Sequence, residues 1–268
     1  MDIIERFKKY VSYDTTSSEE VRPGKASTDR QYVLAREIAR ELEEFKPDEL
    51  EINGYGVVRA VFLPKGKETL DRVALFVHMD TSPAAKGFGI KPRVIAYKGG
   101  DIELSKGIVM KAADYPYLKK SIGHRLIVTD GTTLLGGDDK AGCSAVMDFM
   151  EKLPDHRLNH RALEIHFTTD EEVGEDAKHV SLDKVKAKFG ITVDGEDLEE
   201  INIETFNAFA MKVEIHGFNI HPGTAKNRMI NANELAIEFD RALPRYQRPE
   251  FTEGREGFYH LCNMEASE

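Results

Sequence analysis

The 268-residue sequence predicts an α/β protein. Apolar runs of strand length alternate with stretches of helical period, and acidic or histidine residues follow several of those runs. Ile3, Ile4, Phe7 and Val11 recur at helical spacing and predict a short opening helix. A polar loop spans residues 15–25. Thr28 and Gln31 then have the spacing of a capping box, and Leu34, Ile38, Leu42 and Phe45 mark one apolar face of a second helix ending near Pro47. Both helices are expected to cover a sheet. Residues 57–63 and 72–77 read as strands, the second a continuous apolar run of the kind buried on both faces of a parallel sheet.

Residues 81–123 are rich in Gly, Pro and Lys and predict a long excursion with short strands at 93–97 and around Ile102. A strand at 126–128 and a turn at 130–133 follow. The next helix is marked by Gly142, Ala145, Val146, Phe149 and Leu153. Strands at 162–168 and 189–193 complete the sheet. Beyond Gly195 the pattern changes: Phe209, Met211, Val213 and Ile215 alternate as a strand, 231–243 read as a helix, and 258–264 as a returning strand. The expected organisation is one large domain at 1–205 and the first half of a small α+β domain at 206–268.

Composition narrows the function classes. Against 37 basic residues stand 47 acidic ones, a net charge of -10, with no run of five or more bases, so nucleic acid is not an expected partner. Cys143 and Cys262 form no Cys-x-x-Cys pair and are expected to be buried small hydrophobes. The N-terminus is too charged for a signal peptide and about 18 consecutive apolar residues occur nowhere, so no membrane association and a reducing cytoplasmic setting are expected.

The chemistry lies at strand ends, where open α/β sheets place their sites. His78 and Asp80, two apart on extended chain, point to the same side of the sheet, which suits an imidazole held by a carboxylate. Asp138 and Asp139 lie between a Gly-Gly turn and a helix start, where an Asp either caps the helix or binds cations. Asp170, Glu171 and Glu172 are consecutive acids that repel one another unless solvated or neutralised by a cation. Two adjacent glutamates can divide labour between ligand and base. Asp194 closes an apolar strand, a place where a turn aspartate is also common.

In order and spacing, His78-Met79-Asp80-Thr81, Gly137-Asp138-Asp139-Lys140-Ala141-Gly142, Asp170-Glu171-Glu172-Val173-Gly174, Val193-Asp194-Gly195 and His221-Pro222-Gly223-Thr224-Ala225-Lys226 resemble the peptidase T family. These are tripeptide aminopeptidases grouped with carboxypeptidase G among the di-zinc exopeptidases. Thr252-Glu253-Gly254 and Gly257-Phe258-Tyr259-His260 resemble it too, so the likeness runs along the whole sequence.

The resemblance implies a zinc-exopeptidase-like mixed sheet flanked by helices, plus part of a lid or dimerisation domain. It makes His78 and Asp194 ligands of one zinc, Asp138 the bridge and Glu172 a ligand of a second zinc. Glu171 becomes the general base, Asp80 supports His78, and His221 binds substrate. A cis peptide at Asp138–Asp139 and a possible homodimer through the small domain are implied as well.

In the family a last histidine on the second zinc comes after further sheet and helix, which the sequence does not include; His260 matches a different position. The expectation is therefore one site with three ligands, a weaker second site holding only Asp138 and Glu172, and an unpaired sheet edge in the small domain. The expected function is zinc-dependent removal of the N-terminal residue from short peptides. Two alternatives stand beside it. One is a truncated, weakly active or inactive metal-binding relative. The other is phosphoryl transfer, since residues 129–132 resemble a phosphatase loop, although Val128 stands where the nucleophilic Asp belongs.

Overall fold

The computed structural model describes residues 1–153, 159–195 and 200–266. Backbone proximity divides the chain into Met1–Glu200 and Ile201–Glu268. The first unit is built on a five-stranded sheet. In chain order its strands are β1 (Glu49–Ile52), β2 (Val58–Phe62), β3 (Val73–His78), β8 (Leu163–Thr168) and β9 (Phe189–Thr192), arranged β1-β2-β8-β3-β9. Between them the excursion contributes β4 (Arg93–Ala96), β5 (Ile102–Ser105), β6 (Ile108–Met110) and β7 (Arg125–Val128). These pair β4 with β7 and β5 with β6, around Tyr97, Ile102 and Leu118.

Pairing is antiparallel for β1, β2 and β8, and parallel where β3 lies between β8 and β9. The parallel register decides where chemistry can occur. His78 pairs with Thr168, and Phe76 pairs with Thr192. Continued two residues, the same register brings Asp170 and Asp194 to the C-terminal rim that His78 occupies.

One face of the sheet is covered by α2 (Gln31–Glu44) and α3 (Gly137–Lys152), with α1 (Ile3–Val11) packed against α3. Apolar positions at helical period on these helices meet alternate residues of the strands. Tyr10, Leu34, Ile38, Met147, Ile165 and Phe167 are among the fully buried residues of the resulting core. The side chain of Asp2 caps α1 by accepting from the Ile4 N–H at 2.9 Å. A short α4 (Asp176–His179) follows the turn after β8.

The other face of β8 is polar but enclosed. Arg59 Nε donates to Glu164 at 2.9 Å, and His166 stacks on Phe76 with ring centroids 4.7 Å apart. Burial holds the His166 imidazole below its ordinary value, outweighing the opposing pull of Glu164. The unfolded chain therefore binds this proton first, so His166 contributes stability above its ordinary value of 6.5 that is lost as pH falls below it. Relative to a His166→Gln variant, wild type should lose up to about 1.4 kcal/mol per pH unit over that window. Paired urea titrations measure it, and a difference independent of pH would contradict it.

Several sequence expectations are corrected. Thr28 and Gln31 do not form a capping box. Arg30 occupies the cap position without a side-chain bond, the Thr28 hydroxyl donates to the Thr16 carbonyl at 2.9 Å, and the Gln31 amide turns inward to Asp170. The inward contacts win because both side chains are buried. Cys143 is buried as expected, but Cys262 is exposed.

In the second unit, α5 (Ala232–Ala242) is capped by Asn231, and Phe218 and Ile230 exchange backbone hydrogen bonds at 2.9 and 3.0 Å. Residues 209–215 and 258–264 are not strands. Alternation needs a neighbouring strand to bond its N–H and C=O groups, and among the described residues neither segment joins a ladder. Phe209 is correspondingly exposed.

Candidate metal centre

Each acidic motif reaches the rim of the sheet by a different local device. His78 is the last residue of β3 and is buried, 2% exposed. Asp138 and Asp139 lie at the start of α3 with non-helical backbone angles, after Gly136 turns the chain in the left-handed region, and the Asp138–Asp139 peptide is cis. Glu171 and Glu172 begin a single 3-10 turn after Asp170. Asp194 follows β9, whose exit is fixed by the Val193 N–H donating to the Phe76 carbonyl at 2.8 Å.

These devices bring most of the sequence-selected residues together around one imidazole. Nε2 of His78 lies 2.8 Å from Asp138 Oδ1, 3.8 Å from Glu171 Oε2 and 3.8 Å from Asp194 Oδ2. Two sets of donor atoms lie within 4.8 Å of one another: His78 with Asp139 and Asp194, and His78 with Asp138 and Glu172. Asp80 is fully buried behind them. Its carboxylate accepts the backbone N–H groups of Glu171 at 3.1 Å and Glu172 at 3.2 Å, and lies 3.4 Å from His78 Nδ1, long for a hydrogen bond. His221 lies in the second unit, where its Nδ1 accepts from the Gly223 N–H at 3.1 Å.

Asp139 is the member that sequence reasoning passed over. One of its oxygens accepts the Gly142 N–H at 3.0 Å, while Oδ2 is buried without a hydrogen-bond partner. The sequence signal was its adjacency to Asp138, which cannot tell which of two neighbouring carboxylates faces inward.

The electrostatics are those of a site short of positive charge. Burial pushes the Asp139 carboxyl up to about 8, with repulsion from Asp194 and Asp138 added and His78 opposing. Burial likewise raises Glu171, Glu172 and Asp194. His78 moves the other way. Burial pulls it down, but Asp80 and Asp138 overcome that and hold it up to about 10. An orphaned buried oxygen, one imidazole and a ring of mutually repelling carboxylates fit a divalent cation of the kind that takes mixed nitrogen and oxygen ligands.

Close packing maintains this arrangement. A Cβ on Gly142 would collide with Asp139 Oδ1 and the Val193 carbonyl, so only glycine lets α3 and the β9 exit approach this closely. Gly142→Ala should therefore cost about 1–3 kcal/mol of stability. It should also weaken cation binding by displacing Asp139 and Asp194 together; thermal melts and calorimetric metal titration measure the two effects.

Beside Glu172 opens a cavity of about 700 Å³, walled by residues 18–25 and by Tyr55, Ser82 and Lys178. Its size is that of small-ligand sites. The phosphoryl-transfer alternative finds no support in the geometry: Asp130 is tied up in its own turn, accepting from the Thr132 N–H at 3.0 Å and hydroxyl at 2.6 Å.

Comparison with known proteins places the chain. It is 43% identical over 269 aligned residues to a peptidase T of Caldanaerobacter subterraneus subsp. tengcongensis, covering 99% of this chain and 66% of that relative. The chain belongs to the peptidase T family. A peptidase T of Clostridium novyi is 42% identical, with 97% of this chain and 64% of the relative covered. The chain thus spans slightly less than two thirds of the length of these peptidase T sequences.

A family profile described as a peptidase dimerisation domain matches residues 203–267, and one described as M42 glutamyl aminopeptidase matches 125–222. Among solved structures, the fold is similar to an aminopeptidase PepT from Bacillus cereus, with a TM-score of 0.58 and 22% identity, covering 90% of this chain and 56% of that one. It is also similar to a tripeptidase from Staphylococcus aureus, with a TM-score of 0.59 and 18% identity, covering 94% and 57%. Both peptidase structures agree with the mixed α/β fold. Among the described residues, no helix is long and apolar enough to cross a membrane.

Proposed function

We propose that the chain forms the catalytic centre of a zinc-dependent aminopeptidase that removes the N-terminal residue from tripeptides. The observation carrying this reading is the meeting of His78, Asp138, Asp139, Glu172 and Asp194 at one rim, with Glu171 beside them. The relatives' name, peptidase T, supports the substrate class. On the family resemblance His78, Asp138 and Asp194 would hold one zinc and Asp138 and Glu172 would contribute to a second; Asp139, which shares a donor set with His78 and Asp194, would be a further donor. When bound, zinc supplies Lewis acidity toward a peptide carbonyl and toward water.

The chain's own residues do the rest. Glu171 takes a proton from the attacking water and delivers it to the departing amine nitrogen as the C–O bond forms and the C–N bond breaks. Asp80 holds the Glu171–Glu172 turn through two backbone N–H groups and faces His78. The neighbouring cavity receives the peptide. His221 is assigned to substrate binding on the family resemblance. A homodimer formed through the second unit is part of this reading, supported by the match to a dimerisation domain. A cytoplasmic setting is too, supported by two cysteines that remain free thiols.

Chelation tests the reading. Tripeptide hydrolysis by the full chain should disappear on exhaustive removal of divalent ions and return with zinc. Hydrolysis that survives chelation would falsify the mechanism.

A further inference from the structure

Behind the turn that bears Glu171 and Glu172 lies a buried polar network that neither the proposed base nor the proposed ligands include. Asp170 has φ 63° and is 1% exposed. A non-glycine residue keeps that left-handed conformation when its surroundings hold it there. Its Oδ2 accepts the Ser27 N–H at 2.7 Å, and its Oδ1 accepts Gln31 Nε2 at 2.6 Å as well as the Ser27 hydroxyl. Gln31 is fully buried, and its Oε1 accepts the Asp170 N–H at 3.1 Å in return. His179 Nδ1 lies 3.6 Å from Asp170 Oδ2.

Polar side chains as buried as Asp170 and Gln31 are costly unless their bonds are made, although Ser27 and Asp170 also border the neighbouring cavity. Here both carboxylate oxygens and both ends of the Gln31 amide are engaged. The network joins the loop before α2 to the residue immediately preceding Glu171, across 139 residues of sequence between Gln31 and Asp170. On the opposite side, Asp80 accepts the N–H groups of Glu171 and Glu172. The turn is thus held both by Asp80, through the Glu171 and Glu172 N–H groups, and by the network around Asp170, and neither aspartate is a member of the donor sets.

We infer that Ser27, Gln31 and Asp170 are positioning residues for the cation centre: by fixing the turn after β8 they set where Glu171 and Glu172 stand relative to His78. This rests on the proposed centre. A purely structural role would cost stability and leave the cation's environment unchanged, whereas residues that orient ligands change metal affinity, commonly by 10- to 100-fold.

The test uses the full chain and Co²⁺ as probe near neutral pH, with affinity from titration and ligand geometry from the cobalt absorption spectrum. Ser27→Ala removes one hydroxyl bond. Asp170→Asn keeps a residue tolerant of left-handed backbone but turns an acceptor into a donor facing donors. Both variants should bind Co²⁺ at least about ten-fold more weakly, with an altered spectrum and an unchanged far-UV circular dichroism spectrum. Folded variants with wild-type affinity and a superimposable cobalt spectrum overturn the inference, even if their melting temperature falls. Should Asp170→Asn not fold, Ser27→Ala decides alone. A wild-type chain that takes up no cobalt overturns the centre, and the positioning role with it.

Discussion

Glu171→Gln is expected to lower tripeptide hydrolysis by about 10²–10⁴-fold while leaving divalent-cation affinity close to wild type. The amide has the size of the carboxylate, and the backbone N–H bond from residue 171 to Asp80 at 3.1 Å does not depend on the side chain. What disappears is the ability to accept a proton. Glu171 is suited to that task because burial raises its carboxyl above the ordinary value and its Oε2 stands 3.8 Å from His78 Nε2, at the edge of the donor cluster. Glu172→Gln should do the reverse, weakening cation uptake first, because Glu172 belongs to a donor set with His78 and Asp138. Measuring kcat together with calorimetric metal binding separates the two roles. An undiminished kcat in Glu171→Gln would remove Glu171 as the base.

Arg59→Ala should destabilise the first unit by about 3–5 kcal/mol, the usual consequence of leaving a buried charge without its partner. Arg59 donates to Glu164 at 2.9 Å, to Glu49 at 2.7 Å and to the Lys184 carbonyl at 3.2 Å. Glu164 is fully buried in the central strand β8, where burial alone would raise its carboxyl, yet Arg59 holds it below the ordinary value. Without Arg59, Arg72 at 3.5 Å is the arginine left beside Glu164 among the described residues, with His166 Nε2 at 3.3 Å. Replacing Arg59 and Glu164 together by apolar residues of similar volume should recover much of the loss, since a buried pair contributes less than the cost of breaking it. Urea titration of the three variants checks this. A loss below about 1 kcal/mol for Arg59→Ala would mean that water or Arg72 compensates Glu164.

Much of this protein could be read directly from residue order. The helical period of Ile3, Phe7 and Val11, the alternation of Leu163, Ile165 and Phe167, and the apolar run ending at His78 each lie within a few residues and specify an element locally. The same is true of the strand-end motifs, whose order and spacing reveal the family without any contact being known. Local pattern failed where an element depends on a partner. Residues 209–215 alternate, but among the described residues no neighbouring strand takes up their backbone groups.

Tertiary structure decided which residues meet. His78 and Asp138 are 60 residues apart and come within 2.8 Å because β3 and α3 pack together. Asp170 and Asp194 reach the same rim because β8 and β9 both run parallel to β3 in fixed register. Only the packing of Gly142 against Asp139 and Val193 tells which carboxylate of the Asp138-Asp139 pair turns inward. Only burial converts Gln31 from an expected helix cap into a support for Asp170. The physical reason is common to all four: periodicity and propensity act over one or two turns of chain, whereas the energy of a buried polar atom depends on partners that only long-range packing supplies.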